Sequence, residues 1–198
     1  MEWFKFNINN LSFVEYEKWF TLITDEKKER INKMRFEDDK KRSVVGEMLI
    51  KKEVSHITGV SAESITIKTT PNRKPYIENS VIHFNISHCE DWVVCAIHNN
   101  PIGIDIEKIR PINLKIAKRF FTADEQNYVF SGIPKEEDFD KTADSDMLKR
   151  FFEVWTGKEA YLKYKGTGIT DSLNTLSVNE NNLKTEYFDD YIVRIYTE

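Results

Sequence analysis

The stretch PIGIDIEKIRP, residues 101–111, sets two carboxylates two residues apart in an otherwise apolar run. Ile104 and Ile106 alternate with Asp105 and Glu107, and Gly103 precedes them. In a β-strand successive side chains point to opposite faces, so Asp105 and Glu107 share one face and the two isoleucines share the other. Two carboxylates that close repel, and one must protonate unless a cation lies between them. Hard oxygen ligands with no His or Cys nearby favour Mg²⁺ over Zn²⁺. Two solvated acids on an exposed edge strand would give the same pattern, so the strand alone does not decide.

On either side of this strand the chain runs through one order of elements. WFKFNI (3–8) alternates and reads as a first strand. Thr24 can cap a helix over 25–34, with Asp25 and Glu26 in its first turn. A second helix is expected from about Glu37 to Ile57, with an apolar stripe of Val44, Val45, Met48, Leu49 and Val54 and with Gly59 just beyond. SITIKTT (64–70) reads as a strand and PNRKP (71–75) as a turn. VIHFNISH (81–88) and DWVVCAIH (91–98) read as paired strands. Beyond the opening strand, NLKIAKRFF (113–121) and TADEQNYVF (122–130) read as helices, the second with a Thr122–Glu125 capping box. Residues 131–146 are polar, acidic and mobile in character. A long helix follows over 147–166, then strands at LNTLSV (173–178) and YIVRIYT (191–197). Strand, helices, strands thus occurs twice in about 100 residues each. The expected class is α+β, with helices packed on largely antiparallel strands.

The 198 residues are 40% hydrophobic and 31% charged, ordinary for a soluble globular protein. No apolar run approaches the roughly 20 residues of a membrane span. The opening MEWFKFNINN lacks the form of a signal peptide, so a cytoplasmic chain without membrane partners is expected. Cys89 and Cys95 read as buried thiols in a reducing compartment. A formal net charge of −4 argues against nucleic acid as a partner. Charge is uneven, however. Asp25 to Lys52 holds ten Lys/Arg and seven Asp/Glu, a local net of +3. Such a segment suits an anionic ligand or a solvated helix face.

Two further clusters carry chemistry. In WTGKEAYLK (155–163), Glu159 and Lys163 lie four apart on one helix face. They could form a surface ion pair, or a third metal carboxylate and a cation for phosphate. In NRKPYIENSVIHFNISHCED (72–91), Pro75 fixes the backbone after Lys74. Ser87 and His88 can hydrogen-bond a phosphate.

The ordered set RKP (73–75), FNISH (84–88), GIDIE (103–107), RFFTADE (119–125) and WTGKEAYLK (155–163) resembles the Sfp-type 4′-phosphopantetheinyl transferases. The similarity runs over about residues 24 to 178. The Trp-x-x-Lys-Glu-Ala form resembles the branch linked to nonribosomal peptide synthesis; fatty acid and polyketide synthesis are the other settings of the family. The resemblance implies two similar lobes related by a pseudo-twofold, residues 1–101 and 102–198, with the site between them. It implies transfer of the phosphopantetheine arm of coenzyme A to a serine of an apo acyl or peptidyl carrier protein, with release of adenosine 3′,5′-bisphosphate. The cofactor implied is Mg²⁺, with Mn²⁺ as a substitute.

Residue by residue, the resemblance makes Asp105, Glu107 and Glu159 the metal carboxylates and places Lys163 on the diphosphate. Lys74 and Pro75 would lie around the adenine. Ser87 and His88 would contact the diphosphate and 3′-phosphate. Lys27, Arg30 and Ser43 would hold the 3′-phosphate, with Arg42 a further candidate. Arg30 and Ser43 stand where a lysine and a threonine are common. Glu159 is the first choice of base for the carrier serine, and Glu125 the alternative, through a water. Lys115, Lys118, Arg119, Phe120 and Phe121 are candidates for docking an acidic carrier. A Mg²⁺-dependent phosphohydrolase and a member that binds without turnover are the competing readings. One departure stands out. The family's counterpart of DWVVCAIH is expected after YIVRIYTE, where the sequence ends, so the second lobe is expected to lack its last strand. An otherwise monomeric protein would then self-associate through an open edge.

Overall fold

The computed structural model describes residues 1–131, 144–168 and 173–198. The polar stretch anticipated over 131–146 therefore lies mostly outside the described residues. Eight strands and six α-helices are described: β1 (Glu2–Asn7), α1 (Phe13–Thr21), α2 (Asp25–Asn32), α3 (Glu37–Thr58), β2 (Ile67–Thr69), β3 (Pro75–Ile77), β4 (His83–Cys89), β5 (Trp92–His98), β6 (Ile102–Lys108), α4 (Lys115–Phe120), α5 (Ala123–Val129), α6 (Ser145–Lys165), β7 (Leu183–Phe188) and β8 (Tyr191–Thr197). Among the described residues no helix is long and apolar enough to cross a membrane.

Helix ends follow from local chemistry. Thr24 caps α2 by accepting from the Lys27 amide. Thr122 and Glu125 form the expected capping box on α5. Three acids, Glu37, Asp38 and Asp39, sit at the N-terminus of α3, where they complement the helix dipole. α3 stops at Gly59, which takes up φ 72°.

Two three-stranded antiparallel sheets carry the fold, in the orders β1-β5-β4 and β6-β8-β7, with β2 and β3 as a separate ribbon. The sheets repeat one plan. In each, the opening strand of the half lies beside the second strand of a closing hairpin. The hairpin turns, Glu90–Asp91 and Asp189–Asp190, each begin on a residue at φ 48°. In each half the residue after the opening strand donates its amide to the second turn residue: Ile8 to Asp91 at 2.8 Å, Ile109 to Asp190 at 2.7 Å.

This topology corrects the expected missing strand. β8 is the central strand of its sheet, paired with β6 on one side and β7 on the other, and is itself the counterpart of β5. The proposed open edge at β8 has no basis, nor does self-association through it. LNTLSV is not a strand. Residues Leu173–Thr175 form a short 3-10 helix, and the hairpin partner of β8 is LKTEYF. α1, also unanticipated, is started by a Ser12–Glu15 capping box.

The layers alternate with the strand pleat. Val93, Cys95 and Ile97 of β5 pack with Val45, Leu49 and Val54 of α3. Val94 and Ala96 face the other way, against Ile102, Ile104 and Ile106 of β6 and Val193 and Ile195 of β8. Ile192 turns outward to Phe151, Phe152 and Val154 of α6. The order is helix, sheet, sheet, helix, with an apolar seam between the sheets.

Candidate active site

Because Ile104 and Ile106 fill the seam, the odd-numbered residues of β6 point toward α6. Gly103 makes the approach possible. A Cβ there would lie 1.9 Å from the Ala160 carbonyl oxygen and 2.5 Å from the Tyr164 amide nitrogen. The contact is between β6 and α6 of the same half, not between the lobes. It brings Asp105 beneath Glu159 and Lys163. Asp105 is 5% exposed, so the solvated edge strand is excluded.

Two groups close around Asp105. Lys163 Nζ donates to Asp105 Oδ1 at 2.6 Å and to Ser87 Oγ at 2.7 Å. Ser87 Oγ donates to the same Oδ1 at 2.8 Å. Ser87 comes from β4, the edge of the first sheet, and Asp105 from β6, the edge of the second, so this ring joins the two sheets. One residue away, the Ile104 amide donates to Asn85 Oδ1 at 2.9 Å. Asn85 was not singled out by sequence, because its partner is a backbone group on another element.

The remaining acids fit a cation. Burial, and next the Asp105 charge, push the Glu107 carboxyl up to about 7, against a hydrogen bond from Trp155. The same two causes, in the same order, push Glu159 up, and Lys163 opposes them. Asp105 Oδ2 is buried without a hydrogen-bond partner. Two carboxyls pushed up by burial and by the Asp105 charge, beside one buried Asp105 oxygen without a partner, suit a hard divalent ion. No three Asp, Glu, His or Cys side chains among the described residues converge as a closed metal set. In this state the Lys163 ammonium supplies the positive charge at Asp105.

A basic cleft leads to this cluster through three adjoining cavities. The first, of 490 Å³, is lined by Lys27, Arg30, Arg73 and Pro75. The second, of 320 Å³, is lined by Lys27, Arg42, Ser43 and His88. The third, of 300 Å³, is lined by Arg73, Lys74, Pro75, Glu159 and Lys163. Ile86 lines all three. Every predicted coenzyme contact except Ser87 therefore lines one of these three cavities, and Ser87 is hydrogen-bonded to Lys163.

Within the cleft, Lys74 Nζ donates to the Tyr164 carbonyl at 2.6 Å, and burial pushes its pKa down. Arg42 donates to the Glu90 carbonyl at 2.7 Å and pairs with Asp39, and its Nε has no partner. His88 is held below its usual pKa, by desolvation first and then by the charges of Arg42 and Lys163. Arg73 at φ 63° and the buried Glu47 were missed from sequence. Adjacency to Lys74 could have flagged Arg73; nothing local marked Glu47.

Glu125 does not join the Asp105 cluster. Its Oε2 accepts the Thr122 amide at 2.7 Å and pairs with Lys158 at 2.7 Å. It lines a separate cavity between α5, α6 and the β7–β8 hairpin. Glu125 is thus held by Lys158 and Thr122, away from the Asp105 ring. Phe121 is core at 1% exposure, whereas Arg119 is at the surface with its guanidinium 5.0 Å from the Phe120 ring centroid.

Known proteins of similar sequence show the family. Residues 11–100 match the family model described as 4′-phosphopantetheinyl transferase, N-terminal, and residues 101–194 that of the 4′-phosphopantetheinyl transferase superfamily. The chain is 38% identical over 147 residues to 4′-phosphopantetheinyl transferase gsp of Aneurinibacillus migulanus, covering 74% of this chain and 57% of that protein. It is 35% identical over 169 residues to 4′-phosphopantetheinyl transferase Sfp of Bacillus subtilis, covering 85% and 71%. It is 31% identical over 157 residues to 4′-phosphopantetheinyl transferase HetI of a Nostoc species, covering 75% and 61%. The chain thus spans between 57% and 71% of the length of these relatives.

Proposed function

The chain belongs to the 4′-phosphopantetheinyl transferase superfamily, and from that premise we propose that it moves the 4′-phosphopantetheine arm of coenzyme A onto a serine of an apo acyl or peptidyl carrier protein. The observation that carries the reading is the Asp105–Ser87–Lys163 ring at the inner end of the basic cleft, with Glu107 and Glu159 beside it.

Phosphoryl transfer depends mostly on positioning and on neutralising charge. Lys27, Arg30, Arg42, Ser43 and His88 would hold the 3′-phosphate, and Lys74 and Pro75 would flank the adenine. Asp105, Glu107 and Glu159 would hold Mg²⁺, which when bound supplies Lewis-acid charge to the diphosphate. Lys163 would turn from Asp105 to the diphosphate and offset the charge that develops on it. The carrier serine oxygen forms a bond to the β-phosphorus as the bond to the bridging oxygen breaks, and adenosine 3′,5′-bisphosphate leaves. Glu159 takes the serine proton, directly or through a water.

Purified protein incubated with coenzyme A, Mg²⁺ and an apo carrier tests the reading by intact mass. The carrier should gain the phosphopantetheine arm, and Asp105→Ala should abolish the gain. An unmodified carrier with intact coenzyme A would overturn the proposal. Coenzyme A broken down without labelling would favour a hydrolase.

A further inference from the structure

We infer that Glu47 is a positioning residue that holds the Lys27 ammonium for the 3′-phosphate of the coenzyme, an inference that rests on the cleft taking coenzyme A. The argument comes from the internal repeat. In the first half Thr24 caps α2 at the Lys27 amide, and Lys27 Nζ lies 2.7 Å from Glu47 Oε2. Glu47 follows Gly46, where α3 meets Ile86 and Val93 of the β4–β5 hairpin. In the second half Thr122 caps α5 at the Glu125 amide, and Glu125 Oε2 lies 2.7 Å from Lys158 Nζ. Lys158 follows Gly157, where α6 meets Leu183 and Arg194 of the β7–β8 hairpin. One buried ion pair therefore occurs at equivalent places in both halves, with the charges exchanged.

The two copies differ in how completely they are satisfied. An ammonium has three donors. Lys158 uses all of them, on Glu125 and on the carbonyls of Leu173 and Leu176, each at 2.7 Å. Lys27 has Glu47 as its one partner among the described residues, and it lines two of the cleft cavities. Its remaining donors are left for a ligand. Burial pushes the Lys27 pKa down, and Glu47 opposes this. Glu47 is 2% exposed, and its own charge is offset from behind. Lys51 lies 3.4 Å from Glu47 Oε1 and is anchored on the Leu22 carbonyl at 2.7 Å. The triad of Lys27, Glu47 and Lys51 keeps a net positive charge facing the cleft, so an acid can sit in an anion site without repelling the anion.

Calorimetric titration with adenosine 3′,5′-bisphosphate and with adenosine 5′-monophosphate tests this without turnover. The wild type should prefer the bisphosphate. Glu47→Gln should shrink that preference roughly tenfold, the scale of one charge-assisted hydrogen bond, by weakening the bisphosphate alone. Lys27→Met and the double variant should lose the preference equally, because Glu47 acts only through Lys27. An unchanged preference in Glu47→Gln, or additive losses in the double variant, would overturn the inference and leave the coenzyme reading intact. A wild type without any preference would overturn both. If Glu47→Gln does not fold, Glu47→Gln with Lys51→Met removes both buried charges together. The same ratio then decides, against Lys51→Met alone.

Discussion

At the residue scale, Asp105 owes its surroundings to strand alternation. The isoleucines on either side fill the apolar seam, so its carboxylate has nowhere to go but toward α6, among Ser87, Lys163 and Glu159. Glu107, two residues on, then faces both burial and a fixed negative neighbour, which together push its pKa up to about 7. A carboxyl with a folded pKa raised above its unfolded value contributes stability that is complete below the unfolded pKa. That contribution is lost as pH rises through the folded pKa. Thermal melts of the metal-free protein between pH 6.5 and 8.5 should therefore show a component that falls with pH, and Glu107→Gln should remove it. Mg²⁺ should reverse the fall in the wild type. His88 works in the opposite sense, since its lowered pKa costs stability as pH falls, which sets the lower end of the window. Identical pH profiles for wild type and Glu107→Gln would contradict the strained pair. Gly103 carries a second prediction at this scale. Gly103→Ala puts a methyl group inside backbone atoms of α6, so denaturant melts should show a loss of about 3 kcal/mol or more. A wild-type midpoint would refute that contact.

At the element scale, α6 carries two different faces of chemistry one residue apart. Glu159 and Lys163 look to β6, while Lys158 looks to α5 and to the chain at Leu173 and Leu176. Removing one partner of a buried ion pair leaves an uncompensated charge and costs about 3–5 kcal/mol. Lys158→Met should be destabilised on that scale by denaturant titration. Glu125→Gln should lose less, because an amide oxygen can still accept from Thr122. Equal and small losses would mean the pair is solvated. Much of the element content was legible because local chemistry writes it. Thr24, Thr122 and Gly59 marked helix ends, and the alternation of residues 102–107 marked β6. β7 was not legible, since LKTEYF is half-exposed along its length and lacks a clear apolar face. LNTLSV looked like a strand by its alternation, yet Leu173 is buried from a 3-10 turn held by Lys158. α1 carries signals that were overlooked, a helical stripe of Tyr16, Trp19 and Phe20 against the core and a Ser12–Glu15 capping box, although it buries none of its residues completely.

At the scale of the whole molecule, the candidate site lies where the two sheets, stacked across the apolar seam, come together at their strands β4 and β6. They do not continue one hydrogen-bonded ladder. The described links across that line are side-chain ones, Asn85 to the Ile104 amide and Ser87 to Asp105. Asn85→Ala leaves a buried amide unpaired next to Asp105, and should cost about 1–3 kcal/mol together with a loss of carrier labelling. Unchanged stability and labelling would show that the junction does not depend on it. Strand and helix periods paired Asp105 with Glu107 and Glu159 with Lys163, whereas their grouping into one site and the cations of the cleft came from the family resemblance. The exchange of charge between Lys27–Glu47 and Lys158–Glu125 could not be read from sequence, because it appears only when the two halves are folded and compared. The central claim, transfer and not hydrolysis at the Asp105 junction, is tested most directly by product stoichiometry. Adenosine 3′,5′-bisphosphate and labelled carrier should be counted in one reaction of protein, coenzyme A, Mg²⁺ and apo carrier. The account predicts one bisphosphate per labelled carrier, and neither product with Asp105→Ala. Bisphosphate released without labelled carrier would contradict it.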